Sequence, residues 1–275
     1  MNVLLTGATG FVGGHILDVL EERNMNVRII LRRKSSLDLI SRSNIEDIII
    51  SENLFLETND KLFEAMKDID VVIHSAWYAE PGHYLNSNKN LECLSGTLEI
   101  AKAAAKARIK KFISLGTCFE YAESSKPLSI DALLSPKTLY AATKVSTFYS
   151  LQSFFKEEKI DFSWCRLFYL YGEREDPRRF VPYIRNQLLK GEMAQLSSGD
   201  QVRDYMNVSD AANIIVDLVS SNLTGPVNVC SGHPITIKEF ACMIAEELEA
   251  KHLLRFGERQ LNLTDPAFMV GVPNY

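Results

Sequence analysis

The chain has 275 residues, of which 46% are hydrophobic and 24% are charged, and its formal net charge is -5 at pH 7. These values are typical of a globular protein with a sizeable core, and an acidic chain without a long basic run is not expected to bind nucleic acid. No apolar run approaches the roughly 20 residues of a membrane span and we find no secretory signal, so we expect a cytoplasmic protein with no membrane partner.

The predicted elements divide the chain into two parts. Up to about residue 170, short β-rich runs alternate with helical stretches, which predicts a parallel sheet covered by helices on both faces. The predicted strands are 2–5, 27–31, 47–50, 71–74, 111–115 and 162–167, and the predicted helices are 11–23, 59–67, 86–107 and 140–157. Shorter elements follow "LYGERED", with helices near 180–190, 209–221 and 236–249 and strands near 203–208 and 226–230.

This pattern predicts an α/β fold with a Rossmann-type, doubly wound parallel sheet. We assign residues 1–172 to the dinucleotide-binding core and residues 173–275 mainly to a smaller ligand-binding lobe. Open α/β folds bind ligands at the carboxyl ends of their strands, and the chain of the second part continues from those ends. Because no low-complexity linker separates the parts, we expect one compact unit.

A glycine-rich stretch, "LLTGATGFVGGHILDVL", links the first predicted strand to the first predicted helix. It spaces Gly7, Gly10 and Gly13 as GxxGxxG. The first glycine permits a tight turn, the second lets backbone N–H groups approach a pyrophosphate, and the third allows close helix–strand contact. Three glycines can also mark a simple turn, but the position directly after the first strand favours a dinucleotide site.

A second stretch, "TLYAATK", places Tyr140 and Lys144 four residues apart on one face of a predicted helix. A lysine cation one turn away would lower the tyrosine pKa from its usual value of about 10 and favour proton transfer. Thr117 ends the fifth predicted strand in "ISLGTCFEY" and offers a hydroxyl to a substrate oxygen. Each residue alone has an ordinary structural interpretation, whereas their order after the glycine loop favours a catalytic set.

These segments together resemble the extended short-chain dehydrogenase/reductase family, the branch of nucleotide-sugar epimerases, dehydratases and 4-keto-reductases. The resemblance runs from residue 3 to about 240 and includes "DVVIHSA", "CRLFYLYG" and "GDQVRDYMNVSDAA". It implies that Tyr140 is the general acid/base, that Lys144 binds the nicotinamide ribose and that Thr117 polarises the substrate oxygen.

The resemblance also implies two sets of ligand-binding residues. The expected cofactor set is Gly7, Thr9, Gly10, Phe11, Val12, Gly13, Arg32, Arg33, Asn53, Leu54, Ser75, Ala76, Trp77, Leu115, Tyr140, Lys144 and Phe168. The expected substrate set is Tyr78, His83, Cys118, Phe119, Tyr169, Phe180, Val181 and Arg203. Arg203 is expected to contact a sugar-nucleotide diphosphate; taken from the residues alone, it could equally be a surface ion-pair partner of Asp204 or Asp200.

Several positions depart from the family's pattern. Dehydratases carry an Asp-Glu pair directly after the threonine, whereas this chain has Cys118 and Phe119. Glu120 comes one place late, and in a strand-like segment one residue reverses the facing, so dehydration is not expected. Asn53 replaces the acid that usually meets adenine, and Tyr169 stands where the family commonly has a substrate-binding asparagine.

The stretch "VRIILRRKSS" ends the second predicted strand in cations. A carboxylate there would bind the adenosine ribose of NAD and repel a 2′-phosphate. Arg32 and Arg33, followed by Lys34, instead attract that phosphate, so we expect NADP(H) as the cofactor. The alternative is a solvated basic turn.

The five cysteines are odd in number and form no Cys-x-x-Cys pair, which favours reduced thiols over a disulfide framework. The histidines form no ligand-like cluster, and we predict no metal. An enzyme that also epimerises its substrate needs an extra acid/base pair, for which His83 and Cys118 are the candidates at the carboxyl edge of the sheet.

The sequence therefore predicts NADPH-dependent reduction of the C4 ketone of a nucleotide-linked 4-keto-6-deoxy or 3,6-dideoxy hexose, a step of cell-surface polysaccharide (lipopolysaccharide) sugar biosynthesis. An NAD-dependent nucleotide-sugar 4-epimerase is the alternative, and a non-catalytic NADP-sensing module is a remote one. The expected partners are a nucleoside-diphosphate sugar and a second copy in a homodimer. The nucleotide, the sugar and the product stereochemistry are not specified. Family members usually carry a closing helical segment after the point where "VGVPNY" ends this sequence, which leaves the completeness of the C-terminal lobe open.

Overall fold

A computed structural model describes residues 1–32, 45–260 and 265–275 of the protein. The first part of the chain forms β1 (Asn2–Thr6), α1 (Phe11–Glu22), β2 (Asn26–Leu31), β3 (Ile45–Ile50), α2 (Asn59–Ala65), β4 (Val71–His74), α3 (Lys89–Lys106), β5 (Lys111–Thr117), α4 (Leu139–Glu158) and β6 (Asp161–Leu167). The remainder forms β7 (Tyr169–Tyr171), α5 (Phe180–Leu189), β8 (Ala194–Leu196), β9 (Val202–Asn207), α6 (Val208–Asp217), β10 (Gly225–Val229), β11 (Pro234–Thr236), α7 (Ile237–Glu247), β12 (Leu254–Phe256) and β13 (Phe268–Met269).

Seven parallel strands form the main sheet, in the order β10-β6-β5-β4-β1-β2-β3. The strands β4 and β5 are buried along their whole length, which explains their near-continuous apolar runs. The strand order reverses between β1 and β4, so their carboxyl ends flank the crevice where such sheets bind dinucleotides. The predicted Rossmann-type fold is confirmed.

Helices cover both faces of the sheet. One core cluster joins α1 and α6 to the first face through residues such as Ile16, Leu20 and Ile215. The other joins α2, α3 and α4 to the second face, with Leu62 and Phe148 among its members. The functional cleft lies at the edge between these two layers, where the strands end.

The second part of the chain is divided between the sheet and a small lobe. The small lobe has its own core around Ile184 and Ile244, beside the short sheets β11-β9-β13 and β12-β8. The helix α6 and the strand β10 instead return to the main sheet, so the core draws on residues beyond 172. The two-residue and three-residue strands were not predicted because runs this short carry little periodic signal.

Element ends differ modestly from the prediction. The helix predicted over 209–221 ends at Asp217, and the helix predicted over 86–107 begins at Lys89. A separate 3-10 turn, Tyr84–Asn86, occupies the chain just before α3. Within the described ranges, no helix combines the length and apolar character needed to cross a lipid bilayer.

Candidate active site

The glycine loop between β1 and α1 is shaped so that only glycine fits at two positions. Gly7 has a φ of +78°, and a Cβ added there would lie 2.7 Å from the Ala76 nitrogen. A Cβ on Gly13 would lie 2.1 Å from the Gly7 carbonyl oxygen. Gly10 caps α1 without a side-chain hydrogen bond, so the first N–H groups of α1 can face an anion. This cradle fits a dinucleotide pyrophosphate, and Thr9, Phe11 and Val12 belong to the same loop and the start of α1.

The carboxyl end of β4 completes the inner side of the crevice. The Ala76 N–H donates to Thr6 Oγ1 at 3.3 Å, which holds Ala76 and its neighbour Ser75 against β1. The His74 ring is hydrogen-bonded to the Thr6 hydroxyl at 2.8 Å and to the Thr97 hydroxyl at 3.0 Å. Burial lowers the pKa of His74 to about 3, so this histidine is a neutral brace between strands rather than a proton carrier.

The adenosine end of the crevice is described only in part. Arg32 follows β2 as an exposed residue, whereas Arg33 lies outside the described residues, as does Lys34. Asn53 is exposed and caps a 3-10 turn, Leu54–Leu56, through its side-chain oxygen, which accepts the Phe55 N–H at 3.1 Å. The Asn53 side chain is therefore used in this turn, and its expected contact with the cofactor stays a prediction.

Tyr140 and Thr117, expected to work together, lie close to each other in the structure. Tyr140 lies in the first turn of α4, which Thr138 caps by accepting the Ala141 N–H at 3.2 Å. Thr117 ends β5, and its hydroxyl is near enough to the Tyr140 phenol to oppose the effect of burial on the tyrosine pKa. Burial raises the pKa of Tyr140, so its phenol is protonated at neutral pH.

Lys144 lies one turn further along α4 and is buried. Its ammonium donates to the Leu115 carbonyl at 2.7 Å and lies 3.6 Å from the centre of the Trp77 ring. Burial lowers the pKa of Lys144 to about 7, against an opposing effect of Glu120. The expectation that Lys144 lowers the pKa of Tyr140 is wrong for this state, because the ammonium turns to Leu115 and stays 6.0 Å from the Tyr140 ring centre.

Two further residues build the wall of this cleft and were missed in the sequence. Tyr84 lies with its ring centre 4.9 Å from that of Tyr140, the planes at 84°. Asn90 is fully buried; its amide donates to the Tyr84 carbonyl at 2.6 Å and accepts the Trp77 indole N–H at 2.9 Å. An asparagine on the apolar side of a predicted helix was the one available signal, since a buried amide must be hydrogen-bonded.

The residues after Thr117 form a 3-10 turn, Cys118–Glu120, rather than the expected strand-like segment. Glu120 is fully buried and accepts hydrogen bonds from the Thr117 N–H at 2.8 Å and from Arg166 Nε at 2.7 Å. Burial raises the pKa of the Cys118 thiol. The carboxylate is therefore a structural brace, and neither residue supplies the acid/base pair that water elimination needs.

Arg203 lies in β9 with none of its surface exposed. Its guanidinium donates to the Val202 carbonyl at 2.9 Å and pairs with Asp265 at 3.0 Å. The alternative of a surface ion pair is wrong, because Asp204 instead accepts backbone N–H groups such as that of Gly232 at 2.9 Å. Asp200, the other acid considered, is exposed.

Two buried polar atoms beside this pair have no hydrogen-bond partner among the described residues. They are Arg203 Nε and the Tyr169 hydroxyl, and the Arg203 guanidinium lies 5.1 Å from the Tyr169 ring centre. Buried polar groups in folded proteins are nearly always hydrogen-bonded. These two atoms are therefore suited to a polar ligand, next to Phe119, whose ring centre is 6.1 Å from that of Tyr169.

The remaining members of the expected sets are distributed over the rim of the cleft. Phe180 stacks on Tyr205 with ring centres 6.1 Å apart, and Val181 is buried in the small lobe. Tyr78 lies on the loop after β4 with its ring centre 4.6 Å from the Lys89 ammonium. His83 is exposed on that loop, and Phe168 is buried in a cluster with Cys118. His83 is thus exposed whereas Cys118 is buried, and their role as an acid/base pair stays a prediction.

The described residues hold no group of three His, Cys, Asp or Glu side chains arranged for a metal ion. All five cysteines fall within the described ranges as free thiols.

The chain matches the model of the NAD dependent epimerase/dehydratase family over residues 3–230. It belongs to this family, as the sequence predicted.

Three relatives of known name are similar to this chain over most of its length. A UDP-N-acetylglucosamine 4-epimerase from Methanobrevibacter ruminantium M1, solved in complex with UDP-N-acetylmuramic acid, is 27% identical with a TM-score of 0.87, over 99% of this chain and 89% of that one. The UDP-glucuronic acid decarboxylase 1 of Danio rerio is 27% identical over 92% of this chain, which spans only 62% of that relative's length. The dTDP-6-deoxy-L-talose 4-dehydrogenase (NAD(+)) of Aggregatibacter actinomycetemcomitans is 23% identical over 93% of this chain and 92% of its own. Each is named for an enzyme of nucleotide sugars.

Proposed function

We propose that the protein reduces the C4 ketone of a nucleotide-linked 4-keto-6-deoxy or 3,6-dideoxy hexose with NADPH. The observation that carries the proposal is the proximity of Thr117 and Tyr140, one helical turn from the buried Lys144, beside a cradle that only glycine can form. A binding module without turnover needs the cradle but has no use for this set.

The chain's own groups have distinct roles in that reaction. A bound nicotinamide supplies the hydride to the ketone carbon. Tyr140 donates its proton to the oxygen at that carbon, and Thr117 donates a hydrogen bond to the same oxygen. Lys144 orients the cofactor's ribose through its ammonium. Since burial raises the pKa of Tyr140, the phenol starts protonated, which suits an acid in the reductive direction.

The substrate side supports a nucleotide-linked deoxy sugar. Arg203 Nε and the Tyr169 hydroxyl are the buried donors that a diphosphate would satisfy. Next to them, the Cys118 thiol and the Phe119 ring offer few hydrogen bonds to sugar hydroxyls. A hexose that lacks hydroxyl groups loses less on entering such a wall than a fully hydroxylated one.

The choice of NADP(H) is supported by the cations after β2. Arg32 is exposed where a 2′-phosphate would lie, and Arg33 follows it in the sequence. The dehydrogenase relative is named for NAD(+), so cofactor preference has to be measured rather than carried over.

A homodimer is supported by the outer face of α3 and α4. A groove of about 270 Å³ runs between them, lined by residues that include Leu98, Ala101, Leu151 and Phe154. Leu91 and Tyr149 on the same helices are exposed by 51% and 53%. A second copy would cover this apolar face.

The proposed cytoplasmic location and the proposed role in lipopolysaccharide sugar synthesis follow from the substrate class.

A nucleotide-sugar 4-epimerase remains the second candidate, because a 4-epimerase is among the relatives with 27% identity and a TM-score of 0.87. It would use Thr117, Tyr140 and Lys144 but would recycle one tightly held NAD. Water elimination is the least favoured reaction of the family here, since Glu120 is engaged with Arg166, and Cys118 and Phe119 stand where dehydratases carry their acid pair.

The test is a panel of CDP-, dTDP-, GDP- and UDP-linked 4-keto-6-deoxy hexoses offered with NADPH. We expect one of them to oxidise NADPH and to yield a sugar with a C4 hydroxyl, detected by NMR. Tyr140→Phe should lose at least about 100-fold in kcat while it binds NADPH normally, because only the proton donor is removed. A loss below about tenfold would argue against Tyr140 as the acid.

A further inference from the structure

We infer that Arg179 is a positioning residue for the catalytic Tyr140 and that it acts through Tyr84. The role of Tyr140 in this inference rests on the proposed function. The contact joins the two parts of the molecule, since Tyr84 belongs to the loop after β4 and Arg179 to the start of α5.

Tyr84 lies directly against the catalytic tyrosine. Their ring centres are 4.9 Å apart in an edge-to-face arrangement, and Trp77 flanks Tyr140 at 6.5 Å. The buried Asn90 fixes the Tyr84 backbone and the Trp77 indole. Asn90, at the start of α3, thus holds the backbone of Tyr84. The orientation of the Tyr84 ring depends on a second contact.

Arg179 provides that contact from the small lobe. Its guanidinium lies 5.6 Å from the centre of the Tyr84 ring. Burial raises the pKa of the Tyr84 hydroxyl, and the neighbouring Arg179 charge opposes that effect. The preceding residue, Arg178, pairs with Glu80 of the same loop at 2.8 Å. Two consecutive arginines therefore reach across the cleft to one loop.

The two contacts are not equivalent. Arg178 and Glu80 have side chains exposed by 53% and 47%, and exposed pairs contribute little to stability. Tyr84 is only partly exposed and touches Tyr140, so its orientation affects the catalytic ring. Arg178 is for this reason the natural control for Arg179.

The segment that carries Arg179 is anchored at its other end to α1. The His15 ring is hydrogen-bonded to the Glu173 carbonyl at 2.9 Å, and Arg174 pairs with Asp18. The segment 173–179 thus crosses the carboxyl edge of the sheet from the α1 layer to the loop before α3.

The experiment follows Tyr140 directly, without any substrate. The full chain is labelled with 3-fluorotyrosine, and the Tyr140 fluorine signal is assigned by its loss in Tyr140→Phe. We expect Arg179→Gln and Tyr84→Phe to shift or broaden that signal alike, the double variant to add nothing further, and Arg179→Lys to restore it in part. Arg178→Gln should leave it unchanged.

An unmoved Tyr140 signal in Arg179→Gln, or additive effects in the double variant, would overturn the inference. Turnover gives a second readout: Arg179→Gln should lower kcat by about tenfold and leave the affinity for free nucleoside diphosphate unchanged. A weaker nucleoside diphosphate complex would instead make Arg179 a substrate contact and overturn its positioning role. If the wild type turns over no sugar nucleotide at all, the proposed function fails, while the fluorine signal still decides whether Arg179 positions Tyr140.

Discussion

The Lys144 ammonium lies 3.6 Å from the centre of the Trp77 indole ring, so a tryptophan covers the cation that the family resemblance assigns to the cofactor's ribose. With the Leu115 carbonyl at 2.7 Å, this cation–π contact supports a charge in a buried position. Ribose hydroxyl groups that approach Lys144 must share it with Trp77. Cofactor binding and the Trp77 environment are therefore coupled.

The first prediction uses this coupling. The chain has two tryptophans, and Trp164 is fully buried with its indole N–H on Glu120 at 3.0 Å. Addition of NADPH should quench tryptophan emission in the wild type, because Trp77 lies at Lys144. Trp77→Phe should remove most of this change. Equal quenching in the variant would show that Trp77 is not at the nicotinamide end.

The second prediction concerns pH. Burial lowers the pKa of Lys144 to about 7 from its ordinary value of 10.5. Between pH 7 and pH 10.5 the unfolded chain therefore keeps a proton on Lys144 that the folded protein has lost. The free energy of unfolding therefore rises with pH through that window. Below pH 7 the folded protein buries a charged ammonium, and the free-energy cost of that burial is fully present. Lys144→Met removes the cost, and its stability relative to wild type should fall by roughly 2 kcal/mol from pH 6 to pH 9.

Urea unfolding of the cofactor-free protein at both pH values measures this difference. Lys126→Met, at an exposed lysine, is the matched control and should show no such pH dependence. A Lys144→Met difference that stays constant from pH 6 to pH 9 would contradict the lowered pKa.

The third prediction tests the substrate side. Arg203→Lys keeps the charge but loses Nε, the buried donor that has no partner in the described part of the chain. We expect free nucleoside diphosphate to bind about 1.5–3 kcal/mol more weakly in a calorimetric titration. Arg185→Lys, at an exposed arginine paired with Glu247, should bind it normally. Unchanged affinity in Arg203→Lys would leave the guanidinium with a purely structural role beside Asp265.

Much of this site was readable from local sequence because its parts are local. Gly7 and Gly13 stand at fixed spacing in one strand-to-helix turn, and Tyr140 and Lys144 share one helix face. Contacts between distant segments carry no such pattern. Tyr84 and Arg179 are 95 positions apart and meet only because the small lobe folds back over the carboxyl edge of the sheet.

Burial was the other factor that sequence spacing did not reveal. The spacing of Tyr140 and Lys144 predicts that the cation lowers the tyrosine pKa, yet burial raises it. Glu120 was expected in a strand-like segment, whereas a 3-10 turn places it on Arg166. Charge effects depend on which groups lose water, and that is decided by packing.

The fourth prediction concerns cofactor choice. Arg32 and Arg33 should attract a 2′-phosphate, so the protein should prefer NADP(H) to NAD(H) at least about tenfold, on the order of 1.4 kcal/mol. Arg32→Ala combined with Arg33→Ala should remove most of this preference and leave NADH use nearly unchanged. Steady-state titration of both cofactors measures it. An equal loss of NADPH and NADH use in the double variant would mean that Arg32 and Arg33 do not recognise the 2′-phosphate.

The central claim, that the protein consumes its cofactor to reduce a C4 ketone, is tested most directly by following one deuterium. The purified enzyme is given the 4-keto-6-deoxy hexose nucleotide it turns over, with NADPH deuterated at the nicotinamide C4 position. Reduction of the C4 ketone should leave one deuterium at the sugar C4 for each NADPH oxidised, and no sugar should be converted without added cofactor. Interconversion of two nucleotide sugars by protein that carries its own bound NAD, with no deuterium at C4 and no net oxidation, would contradict it.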